Sequence, residues 1–254
     1  MIQFIRIFIL SSFILSPFIS RADDIDHLIR QANDSYSNGE FQQAITLYDS
    51  VLISGYEASE IYYNLGNSYY KLGQNTDAII NYERATLLSP DDEDVKYNLS
   101  IANNQVLDNI DKLPELFINN WFKNLVSLTT SNNWAILSIF TFLLSLIFIS
   151  IYLFSSLRII KKFSFWFSVL WIILSVNSFI YSGIQKNNLT RNDSAIIYSP
   201  AVTLKSSPDE SGTDLFLLHE GTKIEVTDRL GDWREIRLAD GNIAWLKYSD
   251  IVII

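Results

Sequence analysis

Acid–base chemistry near neutral pH needs an imidazole or a strongly perturbed carboxylate. This sequence offers two histidines, His27 and His219, in different halves of the chain. His27 reads as a surface residue of a first helix and His219 as the end of a strand. The absence of cysteine excludes thiol nucleophiles and disulfides. The run Asp91, Asp92, Glu93, Asp94 could attract calcium, but it lacks the spacing of a calcium loop. Following Pro90, it reads instead as the acidic opening of a helix. There is no phosphate-binding glycine loop, metal-ligand cluster or nucleophile elbow. The chain therefore reads as non-catalytic, with no metal and no cofactor. The chemistry left to it is hydrogen bonding by amides and phenols, concentrated between Asn33 and Asn98.

Stepping the sequence against itself shows what must position those groups. "YSNGEFQQAITLYDSVL" (Tyr36–Leu52) nearly repeats as "YKLGQNTDAIINYERAT" (Tyr70–Thr86) at an offset of 34 residues. Gly39 aligns with Gly73, Ala44 with Ala78, Ile45 with Ile79 and Tyr48 with Tyr82. This period and these residues resemble the tetratricopeptide repeat family, two helices per unit. The better unit carries Tyr62, Leu65, Gly66, Tyr69, Gly73, Ala78, Tyr82, Ala85 and Pro90. Gly66 is expected where two helices cross closely, and Gly73 in a left-handed turn that ends the first helix. A weaker unit precedes it from Ile25, and a capping helix follows from Glu93, completing a region over 23–112. The resemblance implies an all-α solenoid whose first helices line a concave face. In that register Asn33, Tyr36, Tyr63, Asn64, Asn67, Tyr70 and Asn98 line a peptide-binding groove. Asn33 and Asn64 match the asparagines of family members that clamp a terminal carboxylate. The basic clamp positions carry Ile29, Asp94 and Asn98, so a carboxylate clamp is not expected. Residues 23–133 carry a net charge of −11, which suits a neutral or basic protein or peptide segment.

Three apolar runs divide the rest. The first, Ile7–Ile19, follows Arg6 and precedes small residues at Ser20 and Ala22, so 1–22 reads as an export signal, cleaved or retained as an anchor. The others are long enough to cross hydrocarbon, giving transmembrane helices over 134–154 and 163–184. Buried core helices are the alternative. Aromatic residues Trp134, Tyr152, Trp166 and Tyr181 sit near their ends. The connecting loop, 155–162, carries Arg158, Lys161 and Lys162, which the positive-inside rule places in the cytoplasm. Both soluble parts then lie on the periplasmic side of a bacterial inner membrane. Residues 113–133 contain an amphipathic helix that either lies in the bilayer interface or packs on the repeats. Asn177, near the middle of the second run with Ser175 and Ser178 beside it, either closes the hairpin through a serine such as Ser145 or faces another membrane subunit.

After a linker over 185–193, residues 194–254 read as short alternating strands with turns at Ser206–Asp209, Gly221, Gly231 and Asp240–Gly241. Val202, Leu204, Pro208, Leu218, Gly221, Val226, Trp233, Ile236, Gly241, Trp245 and Leu246 resemble a bacterial Src-homology-3 (SH3-like) domain, a small all-β barrel. Its candidate ligand face comprises Trp233, Trp245 and Tyr248. Ala244 replaces a usual glycine, and Lys247 and Asp250 replace the groove proline and tyrosine of eukaryotic relatives. Trp233 is either a packing residue or the remnant of that groove.

The whole reads as a multi-domain membrane protein: a tetratricopeptide solenoid, a transmembrane helical hairpin and an SH3-like barrel. That order, with "LPELFINNWFKNLVSL" (Leu113–Leu128) at the junction, resembles the BatE-like proteins of the Bacteroides aerotolerance operon. The resemblance implies a non-catalytic adapter whose partners are membrane subunits of an aerotolerance or envelope-stress complex, with the lipid bilayer as its anchor. The alternative is a cell-wall receptor that holds peptidoglycan stem peptides on the SH3-like domain. Neither acidic soluble part has the basic excess that nucleic acid requires.

Overall fold

The computed structural model describes residues 24–110, 117–190 and 193–254. The expected export signal at 1–22 lies outside the described residues. Helix α1 covers 24–37, followed by α2 (Phe41–Ile53), α3 (Ser59–Lys71), α4 (Asn75–Leu88) and α5 (Glu93–Asn103). The turns after α1 and α3 are built alike. Gly39 and Gly73 take φ of +80° and +75°, where a side chain would cost roughly 1–2 kcal/mol. The N–H groups of Gly39 and Glu40 return to Tyr36 and Ser35, and those of Gly73 and Gln74 return to Tyr70 and Tyr69. Each pair of bonds satisfies carbonyls that the helix end would otherwise leave unpaired.

Gly66 serves closeness. A Cβ there would stand 2.6 Å from Cδ1 and Cε1 of Tyr82 on α4, and Tyr82 is 1% exposed, so its ring has nowhere to go. Ala32, Ala44, Ile45, Tyr48, Leu65 and Ala85 complete the packing between helices. The acidic run caps α5: Asp92 Oδ1 accepts the N–H groups of Asp94 and Val95 at 3.0 and 3.1 Å.

Helices α6 (Phe117–Val126), α7 (Ser131–Phe154) and α8 (Arg158–Thr190) follow. Both α7 and α8 are long and apolar enough to cross a membrane. They pack against each other along serines at heptad spacing: Ser131, Ser138 and Ser145 on α7 against Ser168, Ser175 and Ser182 on α8. Ser138 Oγ donates to Ser175 O and Ser175 Oγ to Ser138 O, both at 3.0 Å. Ser131 and Ser182 make the same exchange, again at 3.0 Å. Phe140, Leu143, Ile147, Phe167, Ile173 and Phe179 are exposed on the outside.

The connection between these helices is shorter than the sequence suggests. The expected loop over 155–162 narrows to 155–157, and Arg158, Lys161 and Lys162 belong to the first turns of α8. Nothing in Arg158–Lys162 breaks a helix; arginine and lysine are good helix formers and no glycine or proline intervenes. At the far end α8 runs on through most of the expected linker, to Thr190.

Residues 194–254 form one antiparallel sheet of seven strands, β1 (Ser194–Ile197), β2 (Ala201–Lys205), β3 (Asp214–His219), β4 (Lys223–Leu230), β5 (Trp233–Arg237), β6 (Ile243–Lys247) and β7 (Ile251–Ile253). Their order is β3-β2-β6-β5-β4-β1-β7. Left-handed glycines at Gly221, Gly231 and Gly241 make the turns. One face buries Ala195, Ile197, Leu204, Ile224, Ile236 and Leu246.

Strand β1 is buried on both faces. Ala195 and Ile197 point into the sheet's core, while Ile196 packs with Ala78, Ile79, Ile80, Tyr82 and Ala102 of the helices. The sheet therefore covers the open end of the helical stack. Gly221 permits the contact, since a Cβ there would meet Val106 Cγ2 at 3.0 Å and Ile79 Cδ1 at 3.3 Å.

Candidate functional site

The amides and phenols of the helical region form a ladder with the period of the repeat. Asn33 Oδ1 accepts the hydroxyl of Tyr48 at 2.6 Å and the amide of Asn64 at 3.4 Å. One repeat later, Asn67 Oδ1 accepts the hydroxyl of Tyr82 and the amide of Asn98, both at 2.8 Å. Asn98 Nδ2 also donates to the Tyr63 hydroxyl at 3.1 Å. In each rung the acceptor sits on a first helix, the phenol rises from the paired second helix, and the next unit supplies the amide. Burial pushes the Tyr48 hydroxyl up to about 12, with the nearby Glu60 carboxylate adding to it. Burial also raises that of Tyr82, with Tyr63 and Tyr36 contributing. Both phenols therefore stay protonated and act as donors.

The second rung opens onto a concavity of about 260 Å³. Of the seven residues expected to line a groove, Tyr36, Tyr63, Asn67, Tyr70 and Asn98 meet here, with Lys71, Tyr82 and Ile101. Asn33 and Asn64 lie in the first rung, half-buried and bonded to each other, outside this concavity. Among the described residues no carboxylate lines it. In the sequence Tyr82 stood out only as a residue of the repeat pattern, the counterpart of Tyr48. Its part in the groove follows from reading Asn33, Tyr48 and Asn64 against Asn67, Tyr82 and Asn98 as one repeated set.

A second polar cluster joins the helices to the sheet. Asp108 Oδ2 accepts the backbone N–H of His219 at 2.6 Å and the hydroxyl of Thr222 at 2.7 Å, while Asp108 Oδ1 lies 2.9 Å from His219 Nδ1. Burial raises the carboxyl's pKa, but the bonds from His219 and Thr222 outweigh it and hold it below its ordinary value. An ionised carboxylate only accepts, so Nδ1 carries the proton. Glu220 accepts the Thr76 hydroxyl at 3.0 Å, and Lys223 pairs with the buried Glu83 at 2.6 Å. Asp77 is raised by burial, and Tyr198 is raised first by the Asp77 carboxylate beside it. His219 does end a strand, as the sequence suggests, but as an interdomain contact; Asp108 and Thr222 carried no signal of that role.

Trp233 and Trp245 share one face of the sheet, whereas Tyr248 follows β6 in a single 3-10 turn and meets Arg234, which points to the other face. Trp233 stands opposite Lys247 and Trp245 opposite Glu235, which places the indoles diagonally on one face. The Lys247 ammonium lies 5.9 Å from the Trp233 ring, and the Arg234 guanidinium lies 4.5 Å from that of Tyr248. The chain's own cations thus attend these aromatic faces.

Asn177 is half-buried, and its Nδ2 donates to Ile173 O of its own helix at 2.7 Å. Ser145 Oγ donates to Phe142 O. The hairpin is closed by the serine exchanges, with no bond between these two residues.

Among the described residues no group of three or more His, Cys, Asp or Glu is placed to hold a metal ion. No curated protein matches the chain. A family model described as Tetratricopeptide repeat matches residues 29–94. That span runs from α1 to the start of α5 and contains the first rung and the Asn67–Tyr82 pair of the second, with Asn98 just beyond it, so the N-terminal helical region is tetratricopeptide-like and similar to a family of protein-interaction modules.

Proposed function

We propose that this protein is a non-catalytic, membrane-anchored adapter that holds an extended, uncharged peptide segment in the groove beside Asn67. The observation that carries this reading is the ladder. Asn33 and Asn67 each spend their oxygen on two internal donors, and the Nδ2 of Asn67, which borders the concavity and has no printed partner among the described residues, remains for a carbonyl of an extended backbone. Internal bonds fix both amides beforehand, which lowers the entropy cost of capture. With Lys71 as the one charged lining residue among those described, the groove suits a neutral segment better than a basic one.

Membrane anchoring is supported by the inside-out build of α7 and α8. Serines fill the seam and large apolar side chains face outward, an arrangement suited to lipid and costly in water. Only 17% and 22% of their most apolar stretches are buried, unlike the core helices of a soluble protein. Arg158, Lys161 and Lys162 at the tight connection support a cytoplasmic turn, with both soluble parts in the periplasm. On this reading the C-terminal sheet is an SH3-like module, Trp233 and Trp245 are its candidate ligand face, and Asn177 offers an assembly contact to another membrane subunit. The BatE-like order of parts supports a place in an aerotolerance or envelope-stress complex.

A photo-crosslinking residue at Tyr70 of the full-length chain, expressed in cells, tests the groove. Crosslinked species are expected that decline when Asn67→Ala and Asn98→Ala are added together. Undiminished crosslinks in that variant would overturn the groove reading.

A further inference from the structure

Followed bond by bond, the groove beside Asn67 is left mostly with donors. Tyr82 and Asn98 fill Asn67 Oδ1, which leaves its Nδ2. Tyr63 accepts the Asn98 amide at 3.1 Å and Tyr70 accepts Gln105 Nε2 at 2.8 Å, so each phenol keeps its own proton to give. The Tyr36 hydroxyl has no hydrogen-bond partner among the described residues, and burial raises its pKa, with Tyr63 adding to the rise. It too stays protonated. Lys71 adds an ammonium, which can only donate. Against these donors Asn98 Oδ1 is the unspent amide acceptor in the lining, since Asn98 Nδ2 serves both Tyr63 and Asn67.

An ordinary extended segment carries one N–H for every carbonyl, and its N–H groups would meet mostly other donors here. A proline residue supplies a carbonyl and no N–H. The walls suit it as well. Tyr36, Tyr63 and Tyr70 are half-buried, and proline-rich segments dock in aromatic-lined grooves at low entropy cost because the polyproline II helix is already formed. The spacing agrees. First helices of successive units touch through the ladder amides, Asn33 with Asn64 and Asn67 with Asn98. Helices in contact stand roughly 8–10 Å apart, and one polyproline II turn of three residues advances about 9 Å. Tyr36 of α1 and Tyr70 of α3 are equivalent positions one repeat apart, so successive turns of such a ligand meet the same kind of ring. An anion is less suited, because Lys71 is exposed and no second cation lines the groove among the described residues.

We infer that the groove takes a proline-rich segment of a partner protein in the polyproline II conformation, with its carbonyls on Asn67 Nδ2 and the tyrosine hydroxyls and its rings against Tyr36 and Tyr70. The inference rests on the groove reading above and adds to it the class of segment.

The full chain in detergent is titrated by calorimetry with two neutral ten-residue peptides, both acetylated and amidated, one all proline and one alternating serine and glycine. Both carry a carbonyl at every residue, but the second is flexible and rich in N–H groups. Decaproline is expected to bind roughly tenfold more tightly, the factor that about 1.4 kcal/mol gives. Tyr70→Phe keeps the ring and removes the proton, and should weaken decaproline roughly fivefold, as loss of one net hydrogen bond of about 1 kcal/mol does. Equal affinity for the two peptides, no measurable binding of decaproline, or full affinity in Tyr70→Phe overturns the proline assignment. Binding that requires a free C-terminal carboxylate on the proline peptide shows an anion site at Lys71 and overturns it too. The crosslinks from position 70, formed in isolated membranes, separate the two readings. Crosslinks that resist excess decaproline yet decline in the Asn67→Ala, Asn98→Ala variant sink only the proline assignment, whereas crosslinks that resist both sink the groove itself.

Discussion

The carboxylate of Asp108 grips His219 at two points, the backbone N–H at 2.6 Å and the ring Nδ1 at 2.9 Å. With Thr222 on the same oxygen as the backbone N–H, a side chain 11% exposed holds the turn between β3 and β4 against the helical stack. Asp108→Ala strands buried donors on the sheet and should weaken docking by about 1–3 kcal/mol. Hydrogen exchange would show it as faster exchange of β1 and β4 amides, with α1 and α2 unaffected. Unchanged exchange in β1 would mean that the apolar contact around Ile196 suffices.

The same carboxylate sets an acid limit. Its folded pKa lies below the unfolded value, so its contribution is complete above about pH 4 and disappears as pH falls through the folded value. Asp77 has the opposite sign: burial raises it, so its charged form opposes the docked state at neutral pH and protonation relieves that cost. Between pH 5 and 8 Asp108 therefore contributes no pH dependence. Asp108→Asn should flatten the loss of docking on acidification, and a titration followed by amide exchange in β1 checks this.

Gly66→Ala places a methyl 2.6 Å from two ring atoms of Tyr82. The overpacking should cost ~1–3 kcal/mol and also tilt Tyr82 away from Asn67. Thermal unfolding of the chain in detergent measures the first effect. Equal melting temperatures would show that α3 and α4 separate at little cost.

Tyr82→Phe keeps the ring and removes one donor to Asn67 Oδ1. A stability loss of about 0.5–1.5 kcal/mol is expected. Combining it with Asn98→Ala should give a non-additive double-mutant cycle, because both donors share that oxygen. Additivity would mean that the rung does not act as a unit.

On the proposed topology, protease added outside the inner membrane should digest both soluble parts and spare the turn at Ser155–Arg158. Protection of either soluble part would overturn the two-span topology.

The repeats were legible because their code is local. Gly39, Gly66 and Gly73 act within one turn or one helix pair, and their spacing survives without knowledge of the rest of the fold. The extent of α8 was less legible, because charge marked Arg158–Lys162 as a loop although nothing in its backbone chemistry ends a helix. The groove was half legible: the lining phenols followed from the repeat register, whereas the split into two rungs depended on which amide reaches which oxygen. Docking of the sheet was not legible at all. Thr76 and Glu220 are 144 residues apart, and no periodicity links positions across such a distance. The nearest hint was "AII" at Ala195–Ile197, an unbroken apolar run where a strand with one wet face would alternate.

The contact between α4 and β1 also sets a timetable. Ile79 and Ile80 emerge from the ribosome well before Ile196, the residue that covers them, and two apolar helices must be placed in between. Through that interval the newly made helical stack carries an unshielded greasy end. A nascent chain halted after α8 should be prone to aggregate, and completion of the sheet is the event that buries that end.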